Sequence, residues 1–166
     1  NQLTEQSSVR EFLDGLRGLG YRVFHDLPGD SDNIQHVIIA THGVFSIQVM
    51  ARRKAAEGEN CLRYDGAAVS LNGGPYDSSA VDDAGARARQ LQRLLRECTG
   101  TELPVQAVLL FPGWAVESPE AQNQARVWVV NPKALPMWIR NRPETIGGRE
   151  VRKAAAELTA YLGNYE

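Results

Sequence analysis

The segment NIQHVIIATHGVFSIQVM, Asn33 to Met50, constrains this chain more than any other. Two runs rich in β-branched residues, Ile34 to Ala40 and Val44 to Met50, flank Thr41-His42-Gly43. Branched side chains fit a pleated surface, and a short Gly-containing connection between such runs predicts a β-hairpin. Because side chains alternate with a period of two, a tight hairpin also fixes which residues share a face. The prediction is that Gln35 and Gln48 point to the same side of the sheet. Taken alone, these two residues read as polar positions on the solvated side of a hairpin, and Met50 as an ordinary gap filler.

Around this hairpin the chain alternates helical and strand patterns. Leu3 to Leu19 carries Val9, Phe12, Leu13, Leu16 and Leu19 at helical spacing, and Gly20 stops it. Tyr21, Val23 and Phe24 suggest a strand, and LPGDSDN, Leu27 to Asn33, a loop. Leu62 to Tyr64 and Ala67 to Leu71 are predicted as a small hairpin about Asp65-Gly66. From Val81 to Cys98 an apolar stripe runs through Val81, Ala84, Ala88, Leu91 and Leu95, with Arg89, Arg93 and Arg96 on another face. Val105 to Phe111 reads as a buried central strand and Arg126 to Val130 as a further one. Helices around Lys133 to Arg140 and from Arg149 to Leu162 close the sequence. This order gives an α/β fold, a mixed β-sheet flanked by helices, with 1–166 expected to form one domain.

Composition narrows function mainly by exclusion. With 18 basic and 20 acidic residues the net charge is −2, so any nucleic-acid contact must be local rather than global. The longest apolar runs fall far short of the roughly 20 residues a spanning helix needs, so no membrane contact is expected from this segment. Cys61 and Cys98 lie far apart without CxxC spacing, which fits reduced thiols in a cytoplasmic protein. The first residue is Asn1 rather than Met, so the expectation is a fragment of a longer chain.

Several of these stretches together resemble the nuclease-related domain, NERD, a branch of the PD-(D/E)XK nuclease-like folds. They are Glu5 near the start of the first helix, YRVFHDL from Tyr21 to Leu27, the Asn33 to Met50 hairpin, the Val81 to Cys98 helix, and VQAVLLF from Val105 to Phe111. The resemblance implies a restriction-endonuclease-like core. It also implies that members sit in longer chains beside partner domains or membrane helices, so the full-length parent could be membrane-anchored.

At the chemical positions this chain departs from the family pattern. Gln35 stands where the family has Asp, Gln48 where it has Glu, and Met50 where it has Lys, while Asp83 sits near the expected helix Gln. An intact family site implies Mg²⁺ or Mn²⁺ held by two carboxylates, with the lysine offsetting charge as water attacks the phosphate. An amide brings no negative charge and Met50 no positive one, so no cofactor is expected as written.

Two functions follow from this: a pseudo-nuclease that contacts nucleic acid or protein, or an active nuclease whose acids come from Glu5, Asp26, Asp30, Asp32 or Asp83. His36 and His42 lack a third ligand at metal spacing and read as hydrogen-bonding residues. For DNA or RNA, the candidate phosphate contacts are Arg52, Arg53, Lys54, Arg89 and Arg93, with a solvated charged surface as the plainer reading. Trp114, Trp128 and Trp138 lie in or beside apolar runs and read as core rather than as stacking platforms.

Overall fold

The structure, a computed structural model, describes residues 2–30, 32–50, 60–118 and 124–165, with side chains from residue 6 to residue 164. A first helix, α1 (Gln2–Gly15), turns Val9 and Leu13 into the core and continues as a tight 3-10 turn, Leu16–Leu19. Gly20 ends that turn at φ +87°, donating its N–H to the Arg17 carbonyl. Three antiparallel strands follow: β1 (Arg22–Leu27), β2 (Ile34–Ala40) and β3 (Gly43–Val49). After a small second sheet come α2 (Ser79–Thr99) and β7 (Val105–Leu110), and β7 runs parallel to β3. With β9 (Val127–Val130) the main sheet is ordered β1-β2-β3-β7-β9, a mixed sheet as the alternation of elements predicts.

Helices cover both faces because the central strands are apolar on both. Along β3, Phe45, Ile47 and Val49 pack with α1 and with α3 (Leu135–Arg140). Val44 and the β2 residues Val37 and Ile39 instead meet Leu91 and Leu95 of α2 and Val151 and Leu158 of α4 (Gly148–Tyr165). Each fully buried Ile or Phe here contributes about 2 kcal/mol.

The second, four-stranded sheet is where the sequence reading needs correction. The predicted hairpin is present as β4 (Cys61–Tyr64) and β5 (Val69–Leu71), but its second strand starts two residues later than expected. The cause is Asp65: its Oδ1 accepts from the N–H groups of both Ala67 and Ala68, each at 2.8 Å, and holds them in the turn. Two further strands, β6 (Tyr76–Asp77) and β8 (Ala115–Glu117), were not predicted, since two or three residues display no period. The expected helix over Lys133 to Arg140 begins as a 3-10 turn, Pro132–Ala134, before α3. No helix among the described residues is long and apolar enough to cross a membrane.

The central hairpin forms as predicted. Ala40 pairs with Gly43, leaving Thr41 and His42 as the turn, and Gly43 takes φ +136°, where a Cβ would be strained. Residues near α4 then clamp this turn. The Thr41 carbonyl accepts from the N–H groups of Thr145 and Ile146, and His42 Nδ1 lies 2.8 Å from the Arg142 carbonyl.

Candidate functional site

The register that pairs His36 with Ile47 brings Gln35 and Gln48 next to each other at the open end of the hairpin. At this end β2 follows β1 while β3 follows β7, and the backbone ladder between β2 and β3 stops at His36 and Ile47. The glutamine side chains take its place. Gln35 N–H donates to Gln48 Oε1 at 3.0 Å, and Val49 N–H donates to Gln35 Oε1 at 2.8 Å. Both side chains are half-buried. Met50 continues along β7, its N–H donating to the Leu110 carbonyl at 2.8 Å, and its side chain packs on the cluster that holds Leu109 and Phe111.

Gln48 lies opposite Leu109 on the face that α2 covers, with Ser46 two residues before it. From α2 comes a buried cation that sequence reading did not single out. The Arg87 side chain is 8% exposed, and its Nη2 donates to Asp32 Oδ2 at 3.0 Å, although Asp32 itself is 80% exposed. Arg87 Nε and Ser46 Oγ are buried without a hydrogen-bond partner among the described residues. The only sequence signal for Arg87 was its place between Ala84 and Leu91 on the apolar stripe.

Among the described side chains the acids do not gather here. Asp26 is paired with Arg10 at 3.1 Å, Asp30 with Arg93 at 3.1 Å and Asp32 with Arg87. Asp83 is exposed on α2, and the Glu5 side chain lies outside those described. No three His, Cys, Asp or Glu side chains converge as a metal-holding group among the described residues. Mg²⁺ needs oxygen donors, preferably anionic, in a near-octahedral shell. With both amide oxygens turned onto backbone N–H groups and Met50 beside them, the donor set of the hairpin does not fit that ion.

Titratable groups collect instead on the opposite face. His25 of β1 and His36 of β2 are direct cross-strand neighbours, with their Nδ1 atoms 2.8 Å apart, and His25 Nε2 lies 2.6 Å from Asp14 Oδ1 of α1. Burial first, and His25 second, push the His36 imidazole down to about 4. For Asp14, burial alone would raise the carboxyl; the hydrogen bond and charge of His25, with Arg17 and Arg10, outweigh it and hold the group below its ordinary range. His36 was expected only as a hydrogen-bonding residue, and that reading had no partner in view. The signal was the alternation Val23, His25 against His36, Ile38, which meets only once the register is known.

Against known families, residues 2–112 match the nuclease-related domain, NERD. The chain belongs to the NERD family. No curated protein and no solved structure matches it. The NERD match ends just after β7, so β8, β9, α3 and α4 lie beyond it. Within it, α1, β1, β2, β3, α2 and β7 form the mixed sheet with flanking helices, a nuclease-like core.

The basic residues expected to serve this NERD domain fare unevenly. Arg52, Arg53 and Lys54 lie outside the described residues. Arg89, Arg93 and Arg96 do form an exposed stripe on α2, yet Arg93 is held by Asp30 and Arg96 by Glu102 at 3.4 Å. Trp114 and Trp128 are buried, and Trp138 packs against Trp128 with ring centroids 5.3 Å apart, so all three belong to the core as read.

Proposed function

We propose that this NERD domain acts as a nucleic-acid-contacting module that does not cleave through a metal held by its hairpin. The observation carrying this reading is the pair of glutamine oxygens, each committed to a backbone N–H at the position where the family pattern places carboxylates. Neutral amides satisfy the parted strands and leave no anionic charge for a divalent cation. The buried Arg87 guanidinium adds positive charge to the same side of the sheet, which disfavours a dication further. Catalysis from the other acids draws little support: Asp26, Asp30 and Asp32 are each held by a different arginine and point to no common centre.

The test is incubation of the chain with plasmid and with single-stranded DNA or RNA in Mg²⁺ or Mn²⁺. No cleavage above a mock preparation is expected. Cleavage that a chelator abolishes would overturn the proposal and direct attention to Glu5, Asp32 and Asp83.

A further inference from the structure

The arginines with no acidic partner among the described residues do not lie on the predicted α2 stripe alone. Arg22, Arg140 and Arg152 come from three distant parts of the chain to one cleft along β1, the strand that forms an edge of the main sheet. Two connected hollows of about 860 and 430 Å³ share Gly20, Tyr21, Arg22 and Arg152. No acidic residue lines either of them. Arg17 borders the larger one, and all four guanidinium-bearing side chains belong to exposed residues. One wall of the cleft is built by the segment beyond the family match: Arg140 ends α3 and Arg152 sits in the first turns of α4.

We propose that this cleft binds the phosphodiester backbone of a nucleic acid. The assignment rests on the reading that the domain contacts nucleic acid, and it places that contact at β1 and α4 rather than at the α2 stripe. Guanidinium groups match phosphate oxygens in a forked geometry, and three without local counter-charges are free to do so.

An acidic peptide is the rival polyanion, and it would gain most by adding a strand to β1. That route is obstructed. Arg17 Nη2 already donates to the Val23 carbonyl at 2.7 Å, and Ala155, Ala156 and Thr159 of α4 line the same side. Tyr21 is buried, and Phe24 is packed into the α2 and α4 core, so neither offers a free ring for base stacking. Contacts confined to the backbone make binding independent of sequence and steeply dependent on salt.

Anisotropy of a labelled duplex, titrated with the whole chain across a range of salt, tests this. The triple variant Arg22→Gln, Arg140→Gln, Arg152→Gln should bind at least about tenfold more weakly at low salt. Its log–log salt slope should flatten by about 2 to 3, at about 0.9 for each phosphate that is no longer neutralised. Arg93→Gln with Arg96→Gln, whose guanidinium groups are already ion-paired, should change affinity by less than about twofold. All three changes of the triple variant are on exposed side chains, and an unchanged urea midpoint would show that it is folded. Parent and triple variant binding alike would overturn the placement in the cleft while leaving the proposed function standing. No binding by the parent would overturn both. Displacement of the duplex by polyglutamate as readily as by unlabelled DNA would make this an acidic-peptide site and sink the nucleic-acid assignment.

Discussion

Gln35 and His36 are neighbours in β2, yet the two faces they serve differ in kind. On one, amides from β2 and β3 close a gap between parting strands by hydrogen bonds to backbone, and the nearest motif side chain is an apolar Met50. On the other, Asp14, His25 and His36 form a continuous line of titratable groups beneath α1. The resemblance assigns the family's chemistry to the first face, where the buried charge is the Arg87 guanidinium, whereas the linked Asp14, His25 and His36 are on the second. A motif position and a chemically active position are therefore separable. The first is a matter of register, the second of which groups can carry charge there.

If the histidine face is structural, disturbing it should cost most. His36→Ala removes a buried ring and leaves His25 Nδ1 without its partner, so a loss of about 4 kcal/mol is expected, combining a cavity with an unsatisfied polar atom. Urea unfolding measures it. A loss under about 1 kcal/mol would mean that the three groups meet without supporting the fold, and the contrast between the faces would collapse.

Acid should act on the same face nearly as strongly. The His36 imidazole titrates near 4 when folded and near 6.5 when not, so the unfolded chain takes up its proton first as pH falls. Stability is therefore unaffected by this group above 6.5, declines between 6.5 and about 4, and levels off below. The total is about 3 kcal/mol at about 1.4 kcal/mol per pH unit. Asp14, whose carboxyl is depressed, adds its own loss only at lower pH, as it becomes protonated below its ordinary range. A urea midpoint that stays flat across the upper window would show that His36 is charged in the fold.

Much of the architecture was legible because long elements repeat their period. The α2 stripe, the two hairpin runs and the β7 run each contain enough residues for burial to impose a pattern, and all appear near their predicted bounds. That Gln35 and Gln48 would be neighbours was legible for the same reason. Short strands such as β6 and β8 were illegible, because their pairing is set by partners distant in sequence rather than by their own residues. The site was half legible: sequence named the glutamines but not what their amides do. Nor did it distinguish Arg87, turned inward, from Arg89, turned outward, since both are arginines two residues apart on one helix.

The glutamine face should respond more mildly to deletion. Gln35→Ala and Gln48→Ala each remove one acceptor of a backbone N–H, at about 1 kcal/mol apiece, because the site is half-buried and water can replace the amide in part. Amide exchange gives the sharper readout. Val49 should exchange faster in Gln35→Ala, and Gln35 in Gln48→Ala. Unchanged protection of both amides would mean that the parted end is held by something other than these side chains.

Charging that face, without deleting it, should cost least of all. In the double variant Gln35→Asp, Gln48→Glu, the carboxylate introduced by Gln48→Glu keeps the reach needed to accept the backbone N–H of residue 35, now as a stronger charge-assisted bond. The one introduced by Gln35→Asp is a methylene shorter and releases the Val49 N–H, which turns it away from the backbone. Repulsion between two half-buried carboxylates opposes folding, while the Arg87 guanidinium on the same side offsets part of it. These terms nearly cancel, so the expected change at neutral pH is under about 1 kcal/mol, far below the His36→Ala loss. Met50 is best left unchanged, because it packs on the apolar cluster with Leu109 and Phe111. The cation then tells the faces apart: Mn²⁺ should raise the melting temperature of the double variant and leave the parent chain unmoved, since only a folded carboxylate pair gains by binding it. A double variant that folds but is indifferent to Mn²⁺ would show that the geometry of the family site has been lost here along with its charges.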